Sequence, residues 1–370
     1  MFTHRLTDDA ELRLIEPRHA EELFALVDRN REHLRSWMPF VDNATSVDAE
    51  RAFAKSGLHQ FADEQGFHCN IIYRGKLAGG IGMMPVDLRN HSVEIGYWLD
   101  KEAEGNGLIT TSCRALLEHC FNKMQLNRVI IRTVIGNVRS QAVAHRLGAK
   151  HEGRQRQSMM IQGKLMDNEV FSILREEWPA GSVASYSAFF THRLDENTEL
   201  SILEPLHAEE LFALIDRNRN YLRRWLPWVD GTKSPDDTRE FRKQALHQFA
   251  EDGSIVAGIW HKGAIAGTIG LHSDGAKCKE IGYWIGEEFQ GKGLVTSACR
   301  ALITHAFDTL GINRIQIHVE PDNHRSKAIP ERLGFPYEGT LRQMGTNADG
   351  KSVDLMIYSL LKDEWGGTNQ

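Results

Sequence analysis

The chain has 370 residues, 41% of them hydrophobic and 25% charged, with a formal net charge of −6 and five cysteines. This length suits two domains rather than one. The negative balance argues against non-specific nucleic-acid binding, and no apolar run approaches the roughly 20 residues that span a bilayer. The polar start, Met1 to Asp9, lacks a signal-peptide core, so a cytoplasmic protein with neither a membrane nor a nucleic-acid partner is expected. Cys69, Cys113, Cys120, Cys278 and Cys299 form no Cys-x-x-Cys and no paired spacing, which predicts reduced thiols and no metal site.

In chain order, Leu12–Ile15 reads as a strand stopped by Pro17. Leu23, Phe24, Leu26 and Val27 carry helical spacing within a helix over 20–31, and a second helix is expected over 48–61. Two strands follow around Arg74-Gly75, then a strand over 91–99. A glycine-bearing loop, Glu104-Gly105-Asn106-Gly107, leads into a helix over 110–123, a β-branched strand over 127–134 and a short helix over 140–147 ended by Gly148. Phe171–Leu174 closes with a strand.

The same order then returns. Phe2-Thr-His-Arg-Leu6 recurs at Phe190–Leu194, 188 positions on, and Glu94-Ile-Gly-Tyr-Trp98 recurs at Glu280–Trp284, 186 positions on. The repeat is a duplicated domain. We read residues 1–178 as one copy, 179–189 as a small, polar linker and 190–370 as the other. Residues 1–178 hold 23 basic and 24 acidic side chains, net −1; residues 179–370 hold 21 and 26, net −5, a field that favours a cationic substrate.

A strand–glycine loop–helix–strand unit requires a parallel strand pair. In the second copy the loop is Gln290-Gly291-Lys292-Gly293-Leu294-Val295-Thr296. Glycines let backbone N–H groups approach a ligand, and the helix start adds unpaired donors, which together suit an anion such as a pyrophosphate. The alternative is a plain strand-to-helix turn. The P-loop pattern is absent, and so is the third glycine of a dinucleotide fingerprint.

Gln290-x-x-Gly293-x-Val295 resembles the Gln/Arg-x-x-Gly-x-Gly/Ala signature of the GNAT N-acetyltransferases, with Val at its last position. With Glu280–Trp284 before it and Asn313-Arg314 and Asn323-x-x-Ser326 after it, the ordered set is similar to the ribosomal-protein N-terminal (Rim-type) branch. The resemblance implies an α/β fold of two tandem GNAT domains, each a mixed, mostly antiparallel sheet with helices on both faces. It implies acetyl-CoA in a cleft where two parallel strands splay. Residues 290–296 and Asn323 would hold the coenzyme, Glu280 would take the amine proton, and Ser326 would donate to the departing thiolate, with His318 a second base candidate. Structural alternatives stand beside these roles: a salt-bridged Glu280, and Asn323 and Ser326 capping a helix. Many GNAT enzymes use a helix tyrosine as the acid; Pro330 and Ala144 stand there. Trp225, Trp228 and Tyr283 are the substrate-side candidates, with core packing the competing role.

First-copy counterparts are Glu94, Gly105, Gly107, Asn137 and Ser140. Glu104 replaces Gln290 and Asn106 replaces Lys292, so this cofactor loop reads as degenerate, with the first copy shaping the amine site and the second doing the chemistry. The expected activity is acetyl transfer to a primary amine of a protein N-terminus or of a cationic peptide-like compound. The latter class includes antibiotics, which tandem GNAT self-resistance enzymes acetylate. An acyl-CoA sensor or scaffold without turnover is the alternative, and the fused copies would act as a pseudo-dimer.

Overall fold

After β1 (Thr3–Arg5), alternation in β2 (Ala10–Leu14) and the helical stripe of α1 (Ala20–Arg29) open a layered domain in the computed structural model, which describes residues 1–179, 188–275 and 277–366. Contacts divide the chain into two units, Thr3–Ser185 and Met1–Phe2 with Tyr186–Gln370. Residues 180–187 of the expected linker lie outside the described residues.

The first unit continues with α2 (Arg31–Arg35), α3 (Val47–Ala62), β3 (Phe67–Tyr73), β4 (Lys76–Met83), β5 (Ser92–Leu99), α4 (Leu108–Glu118), β6 (Arg128–Val134), α5 (Val138–Arg146), β7 (Lys150–Ile161) and β8 (Lys164–Leu174). The second unit runs β9 (Thr191–Arg193), β10 (Thr198–Ile202), α6 (Ala208–Arg217), α7 (Arg219–Leu222), α8 (Pro235–Asp252), β11 (Ile255–His261), β12 (Ala264–Ser273), β13 (Cys278–Ile285), α9 (Leu294–Asp308), β14 (Arg314–Val319), α10 (His324–Arg332), β15 (Tyr337–Thr346) and β16 (Ser352–Leu361). Local chemistry sets the helix ends. Ser46 accepts from Ala49 N at 3.1 Å to start α3, and Gly253, at φ 70°, ends α8.

Three expectations shift. The first helix ends at Arg29 because the Asn30 amide turns back to Leu26 O (3.0 Å) while its Oδ1 accepts from Lys101 N (3.1 Å), and α2 starts afresh. The helix expected over 110–123 is α4 followed by a π turn, His119–Lys123. The strand at 171–174 is the end of β8, paired with a strand, β7, that sequence reading did not contain.

Within the first unit the strand order is β1-β2-β3-β4-β5-β6-β8-β7, and within the second β9-β10-β11-β12-β13-β14-β16-β15. All neighbours are antiparallel except β5–β6 and β13–β14. Helices cover both faces. Leu23, Leu26 and Val27 of α1 bury against Leu77 and Trp98 on one face, as Leu211, Leu214 and Ile215 do against Ile265 and Trp284. On the other face Cys120, just past α4, meets Met83 at 3.7 Å between sulfurs.

The parallel pairs are short. In the first unit only Ser92–Arg128, Val93–Val129 and Glu94–Ile130 are in register; in the second only Cys278–Arg314, Lys279–Ile315 and Glu280–Gln316. Both strands run on past the last pair, so each sheet forks immediately beyond Glu94 and Glu280. Among the described residues no helix is long and apolar enough to cross a membrane.

Candidate active site

The glycine loops have the same backbone in both units. Gly105 and Gly107 lie at φ 82° and 72°, Gly291 and Gly293 at 74° and 75°, in the left-handed region that a side chain disfavours. A Cβ on any of the four would meet nothing within 4 Å. Gly107 and Gly293 begin α4 and α9 with no side-chain cap, which leaves the first-turn N–H groups without a side-chain acceptor. These donors and the positive helix end fit a pyrophosphate.

The side chains around the loops point elsewhere. Arg325 donates to Gln290 Oε1, and in the same place Arg139 pairs with Glu104, whose other oxygen is 3.1 Å from His33 Nε2. The Glu104 charge is therefore compensated by a guanidinium. Lys292 turns back to Glu288 O (3.1 Å) and over the Phe289 ring, and Asn106 bonds Ala103 O (3.1 Å). Leu294 is a core side chain, and Thr296 accepts from Arg332 at 2.9 Å. What Gly291, Leu294 and Val295 offer a ligand is backbone.

At the forks stand the two carboxylates. Arg132 pairs with Glu94 at 3.1 Å; burial raises the Glu94 pKa and the guanidinium opposes it. His318, in the place of Arg132, reaches Glu280 with Nδ1 at 3.5 Å, and its Nε2 is buried without a hydrogen-bond partner. Beside each fork a phenol meets the start of the next helix. Tyr97 Oη lies 3.1 Å from Ser140 Oγ, and Ser326 Oγ donates to Tyr283 Oη at 3.1 Å, while Tyr283 Oη donates to Ser326 O at 3.1 Å. Burial pushes both phenols up, so they stay protonated. Asn137 and Asn323 cap α5 and α10, each accepting from the serine N–H at 3.1 Å. The sequence points to the serines and leaves Tyr283 between a substrate contact and core packing. The pairing joins residues 43 apart, and no local pattern announces it.

A cleft of about 530 Å³ opens at the first fork. Trp37, Met38, Pro39, Phe40, Phe53 and Trp98 form its apolar wall, and Glu50, Asn70 and Glu94 are among its polar groups. Gly96 has nothing within 4 Å of a notional Cβ, which leaves the floor open. In the second unit Trp228 packs on Trp284 at 6.0 Å, as Phe40 does on Trp98 at 5.9 Å, while Trp225 carries the Arg224 guanidinium on its ring. The β7–β8 turn is tethered beside this wall by Gln162 Nε2 donating to Arg35 O (3.2 Å); the β15–β16 turn is tethered by an Arg223–Asp349 ion pair at 3.1 Å.

A family profile described as Acetyltransferase (GNAT) domain matches residues 10–150 and again 199–336. The chain belongs to the GNAT acetyltransferases. It is an N-acetyltransferase, and the acyl donor of the family is acetyl-CoA. Over 181 residues, 48% of this chain and 98% of the relative, the GNAT chain is 43% identical to the Bacillus subtilis (strain 168) protein named "Putative ribosomal N-acetyltransferase YdaF". It is 30% identical over 175 residues, 47% of this chain and 97% of the relative, to the ribosomal-protein-serine acetyltransferase of Escherichia coli (strain K12). A solved structure titled "Crystal structure of Probable acetyltransferase" is 37% identical, covering 48% of this chain and 99% of that one, with a TM-score of 0.46. Each of these relatives spans about one of the two GNAT copies.

Proposed function

We propose that each copy transfers the acetyl group of acetyl-CoA to the primary amine of a protein N-terminus or of a peptide-like cationic compound, in the cytoplasm. The observation that carries this reading is the carboxylate at the fork of the parallel pair, Glu94 in one copy and Glu280 in the other, with a half-buried Tyr–Ser pair beside it. Acetyl transfer needs a deprotonated amine on one side of the thioester and a proton for the thiolate on the other. The fork lets a thioester lie between those two sets of groups. Relatives named for ribosomal-protein acetylation favour an N-terminal amine. The net −5 of residues 179–370 favours a cation.

A first copy that only shapes the amine site is the expectation from Glu104 in place of Gln290, Asn106 in place of Lys292 and the more negative second copy. The pairing of Glu104 with Arg139, the identical glycine backbone and the open cleft at Glu94 favour turnover in both copies. The test is the stoichiometry of acetyl-CoA by calorimetry, together with Glu94→Gln and Glu280→Gln assayed on peptides with N-terminal Ser or Ala and on cationic peptide antibiotics. Two coenzymes per chain and partial loss in each variant support the reading. One coenzyme, with only Glu280→Gln damaging, overturns it in favour of divided labour. Binding without any acetylated product leaves a sensor.

A further inference from the structure

Each copy holds one imidazole over the same glycine of its sheet, and the two imidazoles come from different strands. In the first copy His68 of β3 lies opposite Gly82 of β4, which lies opposite Gly96 of β5. A Cβ on Gly82 would stand 2.4 Å from His68 Nδ1. In the second copy the residue aligned with His68 is Val256. The imidazole there is His272, two residues along β12 from Gly270, where the first copy has Met84. A Cβ on Gly270 would stand 2.3 Å from His272 Nε2, and one on Gly282 would stand 3.7 Å from it. The pair His68 and Met84 is thus exchanged for Val256 and His272. The imidazole keeps its place while its position in the sequence changes.

That place adjoins the fork. Gly96 and Gly282 are two residues from Glu94 and Glu280, so each carboxylate shares a sheet face with the glycine row beneath the ring. His272 is also the direct cross-strand partner of Glu280. His68 lines the same cleft as Glu94, and its Nε2 is buried without a hydrogen-bond partner. Packing over a glycine is satisfied by many side chains. An exchange of strands that preserves an imidazole points to its chemistry.

We propose that His68 in the first copy and His272 in the second accept the proton of the substrate ammonium. The inference rests on the acetyltransferase reading. The ring nitrogen takes one proton from the ammonium. The amine nitrogen then attacks the thioester carbonyl, the C–N bond forms and the C–S bond breaks. The thiolate is protonated through the Tyr–Ser pair, which the second amine proton replenishes. One ammonium, one acetyl-CoA and one imidazole thus become amide, free thiol and imidazolium, and the imidazolium passes its proton to water. Glu280 faces His272 across the strands and would hold the imidazolium there, whereas Glu94 is engaged by Arg132. Burial lowers the His68 pKa to about 4, and partial desolvation lowers that of the more exposed His272 against the opposing Glu280 charge, so both rings carry no second proton near pH 7.

The exchange itself supplies the test. In chains carrying Gly293→Asp, so that the second copy binds no acetyl-CoA and the first is read, His68→Val is compared with His68→Val/Met84→His. In chains carrying Gly107→Asp, His272→Met is compared with His272→Met/Val256→His. Thiol release is followed on peptides with N-terminal Ser or Ala. The single variants are expected to lose on the order of 10² in kcat, and the exchanged pairs to recover most of it. Single variants at the parental rate, or exchanged pairs as slow as the singles, overturn the proposal. If the unsubstituted chain acetylates none of the peptides, the acetyltransferase reading of the substrate has failed, and the imidazoles are judged by carbethoxylation with diethyl pyrocarbonate, mapped by mass. Shielding of His68 and His272 by acetyl-CoA supports their place at the reacting centre; equal modification with and without acetyl-CoA overturns it.

Discussion

Replacing Tyr97 and Tyr283 with Phe removes one oxygen from each site and leaves the ring. In the second copy that oxygen accepts from Ser326 Oγ and donates to Ser326 O, both at 3.1 Å. Its loss costs fold stability about 0.5–1.5 kcal/mol, the net worth of a hydrogen bond in a half-buried site. The chemical loss is larger if the phenol feeds a proton to the thiolate. Deleting one preorganised donor in a buried site lowers kcat by about 10²–10³, or roughly 3–4 kcal/mol of transition-state stabilisation. Because burial holds the phenol above its ordinary value of 10.0, no alkaline limb from Tyr283 should appear near pH 8 in the unsubstituted chain. The assay is thiol release at saturating acetyl-CoA, with Tyr97→Phe and Tyr283→Phe made singly and together and folding checked by thermal melts. The double variant should show the full loss in kcat with the Michaelis constant for acetyl-CoA nearly unchanged. A double variant within about 3-fold of the parent in kcat, or one altered only in the Michaelis constant, refutes a role for the phenols in proton supply.

Gly293→Asp should abolish acetyl-CoA binding to the second copy, because it puts a side chain at φ 75° and a carboxylate among the loop amides; unchanged calorimetric affinity in a folded variant would remove the anion site. Glu104→Gln should change acetyl-CoA affinity of the first copy by less than about 3-fold, since Arg139 already compensates the charge; tightening of tenfold or more would mean that the carboxylate opposes phosphate. Burial lowers His68 and His19 to about 4 from an ordinary 6.5, so the unfolded chain binds more protons between those values. Stability should be fully present above pH 6.5 and fall as pH drops through 4, and His68→Gln should flatten that fall in denaturant titrations; an unchanged slope would place the ring in water.

The glycine loops were legible because a left-handed backbone requires glycine, and the two offsets showed the same requirement twice. Elements with an apolar stripe, such as α1 and α3, were legible within a few residues for the same kind of reason. β7 was not, since nearly all side chains of Lys150–Ile161 are exposed and leave no alternation to read. The fork was implied by the family resemblance, but which residues stand at it is decided by where β5 and β6 lose register. Tyr97 and Ser140 are joined only by tertiary structure, as are Glu104 and Arg139. The imidazoles were hidden by the repeat itself: alignment sets His68 beside Val256, and only geometry sets it beside His272.

The two hairpin tethers have a consequence of their own. Gln162 holds the β7–β8 turn through a neutral hydrogen bond, whereas Asp349 holds the β15–β16 turn through opposite charges at the surface. Mobile ions screen exposed charges over about 10 Å at 0.1 M ionic strength and leave a neutral amide contact nearly untouched. Raising ionic strength should therefore loosen the β15–β16 turn and leave the β7–β8 turn held, giving a single polypeptide one hairpin that reads the salinity around it and one that ignores it.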